Sequence, residues 1–399
     1  MARDVLLTFN AGSSTIKLGL FAVEHGAAVA FGQGEVDLRH TPLKLSLKEG
    51  DRALDVDLKA PATDDLHHVI DELLGWQAKH FAHDTLVAVA HRIVHGGDRF
   101  VEAALVDDDT LAGIEALAPL APLHQPQGLR LIRAVKHLRP DLPQSASFDT
   151  AFHRSQSDAV RHFALPREMF DQGIKRYGFH GLSYKFIASR LATKHPKLAA
   201  GRVVVAHLGS GASLCGLHGG ASRDTSMSFS TLDGIPMATR PGALDPGVLL
   251  YLLQSRGMST DDLQDLLYHR SGLLGLSGLS ADSRELVASS APEARQALEV
   301  FSLRVAREVA AIATTLGGLD ALVFTAGIGE HQAGIRAAIV AHLGWLGAAL
   351  DAGANDAHAE RIDAACSRIA LMVVHTDEEQ VIADEACRLL FHTQSQDTA

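Results

Sequence analysis

Apolar and polar positions alternate along the N-terminal part of the chain in the manner of half-buried strands. Val5 to Phe21, VLLTFNAGSSTIKLGLF, consists of two β-rich runs around the small polar turn Asn10-Ala11-Gly12-Ser13-Ser14, which predicts a hairpin. Val29 to Val56 continues in short alternating runs broken at His40-Thr41-Pro42 and Glu49-Gly50-Asp51, so further antiparallel strands follow. Pro61 ends that pattern. Leu66, Val69, Ile70, Leu73 and Leu74 then recur at helical spacing and predict a helix from Asp64 to Trp76. Leu86 to Ala90 reads as a short buried strand feeding HRIVHGG, which places Arg92 and Val94 where parallel strands of α/β folds end and ligands bind. The Pro-rich stretch LAPLAPLHQP, carrying Leu123 and His124, predicts irregular chain before a helix from Gln127 to Leu138.

The second half repeats the opening design. Val203 to Leu217, VVVAHLGSGASLCGL, is again an apolar run, a Gly/Ser turn and an apolar run, so two related halves are expected. Ser183 is a candidate N-cap for a helix reaching His195. Asp224 to Gly247 is rich in turn residues and reads as a long loop, with Arg240 inside it. Pro292 to Leu316 is a long helix with proline at its first position and Gly317-Gly318 at its end. Leu322-Val323-Phe324 is a strand that opens into a glycine loop, with a helix from Ile335 to Leu343 beyond it. The last helix is predicted from Thr376 to about Leu390, with Thr376 and Glu379 forming a capping box and Glu378 left over for other work.

Charge and composition narrow the partners. The 399 residues carry a net charge of −11, which argues against nucleic acid or an anionic membrane surface as the main partner. Cys215, Cys366 and Cys387 are scattered without metal-ligand spacing and read as thiols in a reducing compartment. No unbroken apolar stretch is long enough to span a bilayer, so no membrane partner is expected and the cytoplasm is the default address. The length favours two domains over one.

The chemistry sits at the turns. In the first hairpin Gly12 allows close backbone approach, Ser13, Ser14 and Thr15 offer hydroxyls, and Lys17 offers a cation, a combination suited to phosphate. Arg92 and Arg240 sit beside Gly or Pro turns, which predicts loop positions where a guanidinium fork can clamp a phosphoryl group or a carboxylate; either could equally be a structural ion pair. Asp149, between Phe148 and Thr150, is an acid in apolar company that needs a cation or hydrogen-bond donors. His180 in YGFHG and His124 are candidates for either chemistry or core packing. Glu378 is a candidate Mg²⁺ ligand or an ordinary acid in a helix's first turn.

Taken together, NAGSSTIK, HRIVHGG, LAPLHQP, FDTAFH, YGFHG, HLGSGAS, DTSM, MATRPGALDPG, FTAGIGEH and TDEEQVIA resemble, in order and across nearly the whole chain, the acetate and propionate kinase family of the sugar-kinase/Hsp70/actin superfamily. The resemblance implies an α/β protein of two actin-like, ribonuclease H-like domains with a duplicated βββαβαβα core and an interdomain cleft. Residues 1–149 with 383–399 would form the N-terminal domain, and 150–382 the C-terminal domain with the nucleotide site and the interface of a homodimer. It further implies reversible ATP-dependent phosphorylation of acetate to acetyl phosphate by in-line transfer with Mg²⁺ or Mn²⁺. By position, Asp149, Arg92, His180 and Arg240 would be catalytic. Lys17, Ser13, Thr15, His207, Gly209, Ser210, Gly211, Gly327, Ile328, Gly329 and His331 would bind the nucleotide. Arg92, Val94, Leu123, His124, Phe179 and Thr231 would bind the carboxylate, and Asn10 and Glu378 the metal.

Several positions depart from the family pattern. Ser210 replaces an asparagine, Leu182 and Tyr184 stand where threonine and histidine are usual, His331 replaces an asparagine, and Thr231 stands in place of a pocket proline. One methylene in an acyl pocket is worth only about 1 to 3 kcal/mol, which leaves acetate and propionate both open. Two other readings compete: a sugar kinase of the same superfamily, in which Asp149 would serve as general base, and a non-catalytic nucleotide switch.

Overall fold

The computed structural model describes residues 2–12, 15–38, 42–50, 52–60 and 66–391. The chain divides into two compact units, Met1–Phe152 with Asp377–Ala399, and His153–Thr376. The divisions fall a few residues beyond 149 on one side and before 383 on the other, so the whole final helix belongs to the first unit.

The first unit is built on strands β1 (Asp4–Ala11), β2 (Thr15–Glu24), β3 (Ala27–Asp37), β4 (Lys44–Glu49), β5 (Arg52–Asp57), β6 (Thr85–Ile93), β7 (Ala104–Leu105) and β8 (Gln144–Phe148). Their order in the sheet is β5-β4-β3-β2-β1-β6-β8-β7. Strands β1 to β5 meander antiparallel, as the alternating pattern predicts, whereas β1, β6 and β8 run parallel. Strand side chains alternate between faces. Val5, Leu7 and Phe9 join a core with Val69, Ile70 and Leu73 of the helix His67–His80 and with Leu131 and Val135 of the helix Gln125–Leu138. Asn10 points with Thr8 to the other face, where the final helix, Glu378–Leu390, packs. Gly19 makes that packing possible: a Cβ there would lie 2.6 Å from Thr8 Oγ1 and 3.2 Å from Glu379 Cβ.

The second unit has β9 (Arg202–Leu208), β10 (Ala212–His218), β11 (Ala221–Thr225), β12 (Ala321–Thr325) and β13 (Ala370–Val373) in the order β11-β10-β9-β12-β13. Two antiparallel pairings are followed by two parallel ones, the same sequence of pairings as β3-β2-β1-β6-β8. The two hairpins therefore occupy the same place in two sheets of one design, and the fold is a duplicated actin-like α/β architecture. The long helix Pro292–Leu316 buries Val305, Val309 and Ile312 against β9, β10 and β11 and ends at Gly317 with a left-handed φ of 72°.

Local predictions shift at three helix starts and in the Pro-rich stretch. The first helix runs from His67 to His80, later than expected; Asp64, its predicted start, lies outside the described residues. The Pro-rich stretch contains a 3₁₀ turn at Ala118–Leu120, and Pro126 enters the first turn of the next helix, where its missing N–H costs nothing. Ser183 does not cap a helix: the helix is Gly181–Lys194, with His180 at the N-cap position. The last helix is capped by Asp377, whose carboxylate accepts from Gln380 N at 2.9 Å, rather than by Thr376.

Candidate active site

In the first unit Asn10, Arg92 and Asp149 stand at the carboxyl ends of the three neighbouring parallel strands β1, β6 and β8. That is where open α/β sheets present ligand-binding side chains, because the strand ends leave a crevice between outgoing loops. Arg92 lies within β6 rather than in a loop. Its Nε donates to Asp149 Oδ1 at 3.0 Å and its Nη2 to Oδ2 at 2.6 Å, a bidentate pair around a carboxylate only 1% exposed. Its Nη1 donates to Asn10 Oδ1 at 3.0 Å. Burial opposes the charge on Arg92, but the facing carboxylates of Asp149, Glu378 and Glu379 outweigh it and hold the guanidinium above its ordinary pKa.

Asn10 is the hinge of this network. Its amide NH₂ donates to Glu378 Oε2 at 3.0 Å and to Glu379 Oε1 at 2.9 Å. A donor on one side and two acceptors on the other fix which end of the amide is oxygen. Burial, reinforced by the charge of Glu378, raises the Glu379 pKa, and Lys17 on β2 works against that rise. Lys17 is exposed, and Thr15 accepts from Gly12 N through its carbonyl at 2.8 Å. Ser13 lies outside the described residues. Val94 is buried in this unit, Leu123 is 36% exposed, and His124 stands at the N-cap of the helix Gln125–Leu138.

In the second unit His180 and His207 stack with ring centroids 4.4 Å apart and planes 15° from parallel. His180 adopts a left-handed φ of 55°, uncommon for a side chain with Cβ, at the N-cap position of its helix. Each ring is held through Nδ1 by a serine hydroxyl. His180 pairs with Ser213 Oγ at 2.9 Å, and Ser213 with the Tyr184 hydroxyl at 2.5 Å. His207 pairs with Ser183 Oγ at 2.8 Å, and Ser183 with Thr376 Oγ1 at 2.9 Å. The second hairpin turn, Gly209-Ser210-Gly211, comes up against these rings. A Cβ on Gly211 would lie 2.9 Å from Arg240 Nη2 and 3.4 Å from His180 Nε2, so only glycine lets the guanidinium and the imidazole converge on that backbone. Arg240, in its loop as expected, donates from Nη1 to the Thr231 carbonyl at 2.8 Å. Ser210 is exposed and accepts from Ala238 N through its carbonyl. Phe179 is buried.

The Acetokinase family model matches residues 5–384. The chain belongs to the acetokinase family. It is 46% identical over 393 residues to an acetate kinase of Rhodopseudomonas palustris, covering 97% of this chain and 98% of that one. It is 44% identical over 395 residues to an acetate kinase of Nitrobacter hamburgensis, with 98% of each covered. Among solved structures it is similar to a propionate kinase from Francisella tularensis (TM-score 0.88, 35% identity, 96% of this chain and 98% of that one). It is also similar to Porphyromonas gingivalis acetate kinase (TM-score 0.85, 30% identity, 97% and 100% covered). As an acetokinase the chain is an enzyme, a phosphotransferase with a carboxyl group as acceptor.

Three features of this acetokinase were not anticipated from its sequence. Glu379, expected to cap the last helix, shares the Asn10 amide with Glu378 instead. The Asp-x-x-Gln spacing of Asp377 and Gln380 is the signal that competes with Thr376 and Glu379. Secondly, the segment containing Gly327, Ile328, Gly329 and His331 is itself a short helix, Ala326–His331, rather than a glycine loop. Ala326 takes the left-handed φ of 64°, and the Glu330 carboxylate anchors it by accepting from Ala326 N at 2.8 Å and pairing with His375 at 2.7 Å. Thirdly, the hydroxyls of Ser183, Ser213, Tyr184 and Thr376 hold the stacked histidines, and nothing in their spacing marks them.

Mg²⁺ is the metal the family resemblance implies. Among the described residues no group of three or more His, Cys, Asp or Glu forms an all-protein metal cage. Mg²⁺ does not require one, because it is commonly held by one or two carboxylates, retained waters and substrate phosphates. Glu378 and Glu379 side by side, one with a raised pKa, are an acidic pair of hard oxygens that a cation would relieve. The donor set therefore fits, with Asn10 orienting the carboxylates through its NH₂ while its oxygen serves Arg92.

Proposed function

We propose that the chain transfers the γ-phosphoryl group of ATP to acetate, giving acetyl phosphate and ADP, and runs the same reaction in reverse. The observation that carries the reading is the clamp on Asp149. Both its oxygens accept from Arg92, so its lone pairs are engaged by the guanidinium rather than free to take a proton from an acceptor. A hydroxyl acceptor needs a general base, whereas a carboxylate acceptor is already ionised at neutral pH. The clamp thus favours a carboxylate over a sugar.

Phosphoryl transfer through a loose transition state needs alignment and charge neutralisation more than covalent help. On the first unit Arg92 supplies a fixed cation, and Glu378 with Glu379 would hold Mg²⁺, which supplies neutralisation of phosphate charge when bound. On the second, Arg240 and His180 Nε2 converge at Gly211 and would donate to phosphoryl oxygens. His207 and the turn Gly209–Gly211 would receive the nucleotide phosphates, and Gly327 to His331 would lie along the nucleotide. On the first unit we assign Val94 and Leu123 to the alkyl part of the acceptor, with His124 supporting them, and on the second Phe179 and Thr231.

Two further assignments belong to this reading. The helix Pro246–Gln254, PGVLLYLLQ, buries none of its residues within the chain, with Leu250 and Tyr251 54% and 53% exposed, which supports a homodimer joined through it. Among the described residues no helix is long and apolar enough to cross a membrane, and a cytoplasmic enzyme is the address we assign.

The test is hydroxylamine trapping of the acyl phosphate with formate, acetate, propionate and butyrate, each with and without added Mg²⁺. An optimum kcat/KM at acetate supports the proposal. An optimum at butyrate or longer, or phosphorylation of a sugar without acyl phosphate, overturns it.

A further inference from the structure

We propose that Tyr184 is a positioning residue that sets the tautomer of His180 through Ser213. Tyr184 is fully buried, one helical turn after His180, and its backbone N donates to the His180 carbonyl at 3.1 Å. Its hydroxyl lies 2.5 Å from Ser213 Oγ, and that oxygen lies 2.9 Å from His180 Nδ1. Phenol is far more acidic than an aliphatic hydroxyl and is the better donor, so the Tyr184 proton goes to Ser213 Oγ. A serine hydroxyl has one proton to give, and with Tyr184 donating to it that proton is directed to Nδ1. A neutral imidazole that accepts at Nδ1 carries its own proton on Nε2.

The consequence falls on the side of the ring that faces Gly211 and Arg240. Nε2 is 3.4 Å from the place a Gly211 Cβ would take, and Arg240 Nη2 is 2.9 Å from it. With the proton on Nε2, the imidazole presents a donor beside the guanidinium, and both are directed at an anionic oxygen. With the proton on Nδ1, the same nitrogen would present a lone pair and repel that oxygen. Stacking on His207 holds the ring plane but is indifferent to the tautomer, whereas the Tyr184–Ser213 relay biases it toward Nε2–H. The role rests on His180 donating to the phosphoryl group, as proposed above.

The test uses the full chain with ¹⁵N-labelled histidine. His180 resonances are assigned by difference from His180→Gln, and two-bond ¹⁵N–¹H correlations report which nitrogen is protonated. We expect Nε2–H in the parent enzyme, and loss of that pure signature in Tyr184→Phe and in Ser213→Ala. Each should lower kcat about tenfold, the equivalent of one hydrogen bond, with the acetate KM within about twofold. The double variant should be no slower than Ser213→Ala, because the two residues act in series. An Nδ1–H signal in the parent enzyme, or a Tyr184→Phe enzyme that keeps either the signature or full kcat, overturns the inference. Should Tyr184→Phe fail to fold, Ser213→Ala decides by the same readouts. Full turnover in His180→Gln would instead defeat the role given to His180.

Discussion

Replacing Arg92 by alanine tests the first unit's site and its stability together. The change removes the guanidinium from Asp149, which is 1% exposed, breaking contacts of 3.0, 3.2 and 2.6 Å and the 3.0 Å bond to Asn10 Oδ1. Removing one partner of a buried pair leaves an uncompensated charge and costs about 3 to 5 kcal/mol. For a unit of this size that is a fall in Tm of roughly 6 to 20 °C. The same change removes a proposed phosphoryl or carboxylate contact, so kcat/KM for acetate should fall on the order of a thousandfold. Calorimetry and the hydroxamate assay measure the two effects on one preparation. Two further variants separate them. Arg92→Lys keeps the charge without the fork and should recover part of the stability and little of the activity. Arg92→Met with Asp149→Leu removes the whole pair and should restore much of the stability and none of the activity. A Tm within about 2 °C of the parent in Arg92→Ala would refute the anchoring argument, and near-normal kcat/KM in that variant would remove Arg92 from the mechanism.

Burial pushes the pKa of His91, His95 and His153 down to about 4. In the unfolded chain these groups titrate near their ordinary value of about 6.5, so between the two values the unfolded state binds more protons. Stability is complete above about pH 6.5 and is lost as pH falls toward 4, by about 2 kcal/mol per histidine at pH 5. Urea midpoints at pH 7.5 and 5.0 measure this, and equal midpoints would refute it. Gly211→Ala places a Cβ 2.9 Å from Arg240 Nη2 and should displace the guanidinium, lowering kcat/KM on the order of a hundredfold with circular dichroism unchanged. Arg336 is fully buried and donates to the carbonyls of Gly329, Glu330 and Asn355; Arg336→Ala should cost at least about 3 kcal/mol in denaturant titration.

What the sequence alone determined is what depends on neighbours in the chain. Strand alternation on either side of each Gly/Ser run and the proline-to-glycine span of Pro292–Leu316 are local chemistry, and each appears as an element close to its expected bounds. The ordered motifs carried the family in the same way, since each motif is a short run of residues. Tertiary structure decided the pairings. Asn10 meets Glu378 across 368 positions of the chain, and no spacing rule connects them. The start of the last helix shows the two levels in competition. Thr376 and Asp377 are both fit to cap it, but the Thr376 hydroxyl is taken by Ser183, so Asp377 caps and Glu379 turns to Asn10. Likewise the hydroxyls around His180 and His207 are ordinary residues in the sequence, and only the packing of β9 and β10 against the helix Gly181–Lys194 places them where an imidazole proton can be directed. Side-chain hydrogen bonds act over about 3 Å, and only the folded chain brings distant residues that close.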